Sequence, residues 1–134
     1  MSGWEITEKL PNFPATLHVN ESKWWLSHYY PGPDARYNGY FFKLTDKQVP
    51  EYAENLRKSW EKFESIYPSL KSESGVTLAG YGGIEIYINS YGSGISIIKY
   101  HGRITNRETV KSYLFDLEEA PKRANILQFR LIGI

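Results

Sequence analysis

From Thr45 to Tyr67 the residues Tyr52, Leu56, Trp60, Phe63 and Tyr67 recur at steps of three and four. That spacing predicts an amphipathic helix with one apolar stripe. Thr45 and Gln48 have capping-box spacing, Pro50 suits a first turn, and Pro68 supplies a stop. Glu54 and Lys58 are spaced to pair on the wet face. Ile84 to Asn89 alternates instead, with Ile84, Ile86 and Ile88 on one side and Glu85, Tyr87 and Asn89 on the other. That is the period of a half-buried strand.

Weaker patterns extend the series. Ile6 to Val19 is punctuated by Pro11 and Pro14 and reads as short extended pieces, with Thr16 to Val19 a strand. Lys23 to Tyr30 holds Trp24, Trp25, Leu26, His28, Tyr29 and Tyr30 and fits a strand better than a short capped helix. Pro31-Gly32-Pro33-Asp34 is a loop. Strands are expected over Arg36–Leu44, Val76–Tyr81 and Ile95–Tyr100, the last entered through a loop at Tyr91-Gly92-Ser93-Gly94. Thr105 and Glu108 form a second capping box. A helix on Val110, Tyr113, Leu114 and Leu117 ends before Pro121, and Ile126 to Ile134 closes as a strand with Leu127, Phe129 and Leu131 on one side. The sum is a single α+β domain over residues 1–134: a mostly antiparallel sheet of about five to seven strands, with two main helices on one face.

Composition narrows the function classes. The chain has 134 residues, no cysteine, and 16 Lys+Arg against 15 Asp+Glu. A net charge of +1 gives no bulk attraction to nucleic acid or anionic membrane. Residues 1–10 lack a basic segment followed by an apolar run, and no stretch approaches the ~20 apolar residues of a membrane span. The expectation is a cytoplasmic protein, and the Asn20-Glu21-Ser22 sequon then reads as chance.

The chemical motifs are sparse. His18, His28 and His101 lack metal-site spacing, and no cofactor, metal or catalytic set is assigned. Gly80-Tyr81-Gly82-Gly83 and Gly92-Ser93-Gly94 sit between strands and read as tight turns rather than phosphate loops. A small enzyme would use His101, at a strand end, with Glu85. A module for RNA or single-stranded DNA would use Tyr37, Tyr40, Tyr87 and Tyr100 with Arg36, Lys99, Arg103, Lys122 and Arg123, against which the near-neutral charge argues.

The aromatic load carries the leading reading. Aromatic residues make up 16% of the chain, and they dominate interface energetics. Trp24, Trp25, Tyr29, Tyr30, Tyr37 and Tyr40 gather around the Pro/Gly loop. Adjacent tryptophans on a strand point to opposite faces, so one ring can be core and the other exposed. This small, cysteine-free, aromatic-rich, near-neutral α+β chain resembles bacterial immunity proteins, the antidotes of contact-dependent inhibition and other polymorphic toxins. The resemblance implies a non-enzymatic monomer or weak homodimer that neutralises a cognate toxin in a tight complex. If that toxin is a nuclease with a basic cleft, acidic contacts are expected: Glu51, Glu54, Glu61 and Glu64 on the first helix, or Asp116, Glu118 and Glu119 on the second.

Overall fold

The described residues form ten elements: β1 (Ile6–Lys9), β2 (Thr16–Val19), β3 (Trp24–Tyr30), β4 (Tyr40–Thr45), α1 (Gln48–Ile66), β5 (Val76–Tyr81), β6 (Ile84–Asn89), β7 (Gly92–Ile97), β8 (Arg103–Ile104) and α2 (Arg107–Ile132). The computed structural model describes residues 4–30, 40–66, 76–89, 92–97 and 103–133. The expected α+β class is what the chain adopts, but the strands form two four-stranded sheets, β1-β2-β3-β4 and β5-β6-β7-β8, rather than one of five to seven. Every described pairing joins chain neighbours antiparallel, so each sheet is a meander, and α1 follows the first and precedes the second in chain order.

The chain divides into two compact units, residues 1–51 with 115–134, and residues 52–114. In the first, Leu17 and Val19 of β2, Leu26 of β3 and Phe42 and Leu44 of β4 are buried on one face of the sheet. Leu117, Ala120, Ala124 and Leu127 of α2 are buried at steps of three and four. Polar contacts fix α2 to the strands and loops of this unit. Arg123 donates to both carboxylate oxygens of Glu8 on β1, at 2.8 and 2.6 Å, and the Gln128 amide donates to the Asn20 carbonyl at 3.3 Å.

In the second unit Tyr52, Leu56, Trp60 and Phe63 are buried, as their spacing predicts, and Ile84 and Ile86 are buried on β6 beside an exposed Glu85. Tyr67 and Pro68 lie outside the described residues. Gly82 (φ 52°) and Gly83 (φ 82°) join β5 to β6 in the left-handed region that a two-residue hairpin turn needs. A β-carbon on Gly80 would stand 1.8 Å from the Ile84 carbonyl oxygen, where the ladder shifts register. Of that glycine run Gly82 and Gly83 form the turn, as expected, while Gly80 and Tyr81 belong to β5. Gly92-Ser93-Gly94 is not: it pairs with Tyr87, Ile88 and Asn89 inside β7.

The largest correction lies at the C-terminal end. The helix does not stop before Pro121, and residues 126–132 are helical rather than extended. Pro121 has no N–H to donate and costs helix stability. The burial of Ala124 and Leu127, in phase with Leu117 and Ala120, offsets that cost. The start of α2 also differs: Asn106 is the cap, its side-chain oxygen accepting from the Thr109 N–H at 2.8 Å, in place of the Thr105–Glu108 box. The Thr45–Gln48 box is present in its reciprocal half, the Gln48 side-chain oxygen accepting from the Thr45 N–H at 2.9 Å.

Candidate protein interface

Two surfaces of the first unit stand out. The first is the sheet face opposite the buried one. Cross-strand register places Lys9, Thr16, Ser27 and Lys43 in one row, and Thr7, His18, Trp25 and Thr45 in the next. Directly opposed side chains share a face, and Lys9, Lys43, Thr7 and Thr45 are exposed. Trp25 is the centre of this face. The His18 ring stacks parallel to it at 5.2 Å, and the Lys23 and Lys43 ammonium groups lie 5.6 and 5.2 Å from its ring centroid. These are cation–π distances. His18 is held in turn: its Nε2 is 2.5 Å from Ser27 Oγ, and its Nδ1 is 3.3 Å from Glu5 Oε1.

Glu5, His18 and Ser27 thus lie in the order of an acid–base–nucleophile relay, but the Glu5 contact is not a hydrogen bond: His18 Nδ1 is buried without a hydrogen-bond partner. The surroundings do not favour that chemistry. Ser27 is only 9% exposed, and it sits in a strand paired on both sides. Backbone N–H groups there belong to ladders rather than to a cradle for an oxyanion. The contacts instead fix the orientation of His18 and, through stacking, of Trp25.

The second surface is the outward side of α2. Phe115, Ile126, Phe129 and Ile132 are 60%, 48%, 50% and 54% exposed. At 100° per residue, Phe115, Ile126 and Phe129 fall within an arc of about 60°, which they share with the exposed Lys122, opposite the buried Leu117, Ala120, Ala124 and Leu127. Phe115 also walls a cleft of about 280 Å³ with Leu10, Pro11 and Ala120, rimmed by Glu8 and Arg123. Sequence reasoning missed this surface because it assigned residues 126–134 to a strand; the 3.6 period of Leu117, Ala120, Ala124 and Leu127 was the signal that could have found it.

The residues named from sequence scatter over both units. Trp24 pairs with Val19 and shares the inner face with Leu26, whereas Trp25 occupies the outer one, and both are half-buried. Tyr29, Tyr30 and Tyr40 are in paired positions of β3 and β4; Tyr37, Tyr100 and His101 lie outside the described residues. Tyr87 is half-buried on β6. Glu54 pairs with Arg57, not Lys58, and Glu61 is exposed on α1. Glu118 is exposed on α2, mid-helix rather than at a helix end.

Asp116 is not a surface residue. It is 2% exposed, and its carboxylate accepts from the Asn12 N–H at 2.6 Å, the Phe13 N–H at 2.7 Å and the Asn12 side-chain amide at 3.2 Å. It anchors the loop between β1 and β2, a structural role that leaves no carboxylate oxygen for a partner.

Electrostatics around the unit follow from these contacts. The Arg123 hydrogen bonds hold the Glu8 carboxyl below its ordinary value, and Arg123 itself is raised by the same pairing. Burial lowers His28. Among the described residues no group of three or more His, Asp and Glu could hold a metal ion, and no helix is long and apolar enough to cross a membrane. Compared with protein-family models, with curated proteins and with solved structures, the chain matches none.

Proposed function

We propose that this chain is a non-enzymatic protein-binding domain, an immunity protein that neutralises a cognate bacterial toxin by forming a tight complex. The observation that carries the reading is the set of large hydrophobic residues exposed on the outward side of α2. Large hydrophobic residues gathered on one exposed helix face, beside an apolar cleft, are the composition of an interface core. A solvated helix face gains nothing from Phe115 and Phe129, which cost solubility where a partner does not cover them. The Trp25 cluster adds an aromatic anchor already held in one orientation, which lowers the entropy lost on binding. The reading places the toxin across the α2 face.

The test is capture from the native host with tagged protein, followed by stoichiometry and a growth assay. The proposal expects one protein at fixed ratio, rescue of toxin-expressing cells, and loss of both in Phe115→Ala/Phe129→Ala with the fold intact. A toxin that still kills cells expressing this chain contradicts it.

A further inference from the structure

Among the described residues the charged groups of the sheet face around Trp25 are mainly cationic. Lys9, Lys23 and Lys43 stand there, and Glu5, on the same face, lies against His18. Two of the ammonium groups are drawn to the same ring, and His18 covers that ring in parallel stacking. A nucleobase would have to displace one of these neighbours to stack on Trp25. A carboxylate needs no such displacement, because it can meet both ammonium groups from outside the ring. Thr7 and Thr45 in the Trp25 row, and Thr16 in the row beside it, add hydroxyl donors around the same centre.

The acidic residues expected to meet a basic toxin cleft fare differently. Asp116 is buried and occupied, and Glu54 is paired with Arg57. Glu61 and Glu118 remain exposed on the helices. The face with an organised aromatic centre is a different one, with no sign expected from sequence, and its described charged groups are mainly cationic.

We infer that the Lys23–Trp25–Lys43 face docks an acidic segment of a protein partner, the carboxylates of that segment lying between the two ammonium groups over the edge of Trp25. This rests on the reading of the chain as a protein-binding domain and gives the chemistry of one part of the partner. Charge complementarity of this kind sets orientation and association rate more than raw affinity, so the face acts as a guide beside the apolar α2 surface.

The experiment uses the purified full chain and three fluorescein-labelled probes read by anisotropy at low salt: a ten-residue glutamate peptide, a ten-residue lysine peptide and a ten-nucleotide uridine RNA. The glutamate peptide is expected to bind, the lysine peptide not. Lys23→Glu/Lys43→Glu should weaken glutamate-peptide binding at least tenfold, while Lys58→Glu/Lys62→Glu, the same change in net charge on exposed positions of α1, should leave it within twofold. Circular dichroism confirms that each variant is folded, and Lys23→Gln/Lys43→Gln gives a milder loss if reversal disturbs the sheet. No glutamate-peptide binding, equal loss in both reversal pairs, or RNA binding tenfold tighter than the peptide would overturn the inference. The titration needs no native partner. It can fail while a toxin is captured, or succeed while none is, and so separates this inference from the functional reading.

Discussion

Asp116 Oδ2 lies 2.7 Å from the backbone nitrogen of Phe13, joining positions 103 apart in the chain, and the same oxygen accepts from Asn12. Phe13 is fully buried. Removing the carboxylate leaves two backbone donors without their acceptor in a place where water reaches poorly. Asp116→Ala should therefore cost about 3 kcal/mol, read as a lower urea midpoint. Asp116→Asn, which keeps one acceptor oxygen, should cost roughly half as much.

The hairpin between β5 and β6 gives a second prediction. At Gly80 an added β-carbon meets backbone, which cannot swing aside; at Gly82 it meets the Asn55 side-chain amide, which can. Gly80→Ala should cost about 2 kcal/mol or more through backbone displacement. Gly82→Ala should cost about 1 kcal/mol, mainly from its positive φ. Equal losses in chemical denaturation would contradict the assignment of the Gly80 contact.

Ser59 is fully buried on α1, and its hydroxyl has no partner among the described residues. A buried unpaired hydroxyl opposes folding. Ser59→Ala should be neutral or raise stability by up to about 1 kcal/mol, unlike the usual loss on altering a core position.

Acid should weaken the fold in two stages. The folded-state value of His28 is lowered by burial below the ordinary 6.5, so the unfolded chain binds the proton more readily. Its contribution is present above pH 6.5 and is lost as pH falls toward the folded value. Glu8 is held below 4.5 by Arg123, so its contribution is present above pH 4.5 and is lost only at lower pH. Urea midpoints measured from pH 8 to pH 3 should fall in both windows. His28→Asn should flatten the upper one and Glu8→Gln the lower one.

Much of this was legible in the chain because local rules and tertiary packing agreed. The Tyr52–Phe63 stripe, the Ile84–Ile86 alternation and the Gly82-Gly83 turn each have one low-energy solution. The strand β3 was legible too, and with it the division of Trp24 and Trp25 between two faces. What failed were the places where packing overrode a local signal. Pro121 reads as a stop, yet buried Ala120, Ala124 and Leu127 carry α2 through it. Asp116 reads as surface charge, and only the fold brings the Asn12 and Phe13 N–H groups to it. The Gly92–Gly94 run reads as a loop because nothing local reveals its partners in β6. The exposed hydrophobic residues of α2 were hidden by the same misread proline, and the cationic surround of Trp25 arises from residues on two strands and a turn that only register brings together.

The most direct test of the central claim is co-purification from the native host, with mass and stoichiometry of the bound fraction compared for the natural chain and Phe115→Ala/Phe129→Ala. The account predicts a single protein at fixed ratio with the natural chain, and at least a tenfold drop with the folded variant. A natural chain that retains no protein, or a variant that retains the same protein equally well, would contradict it.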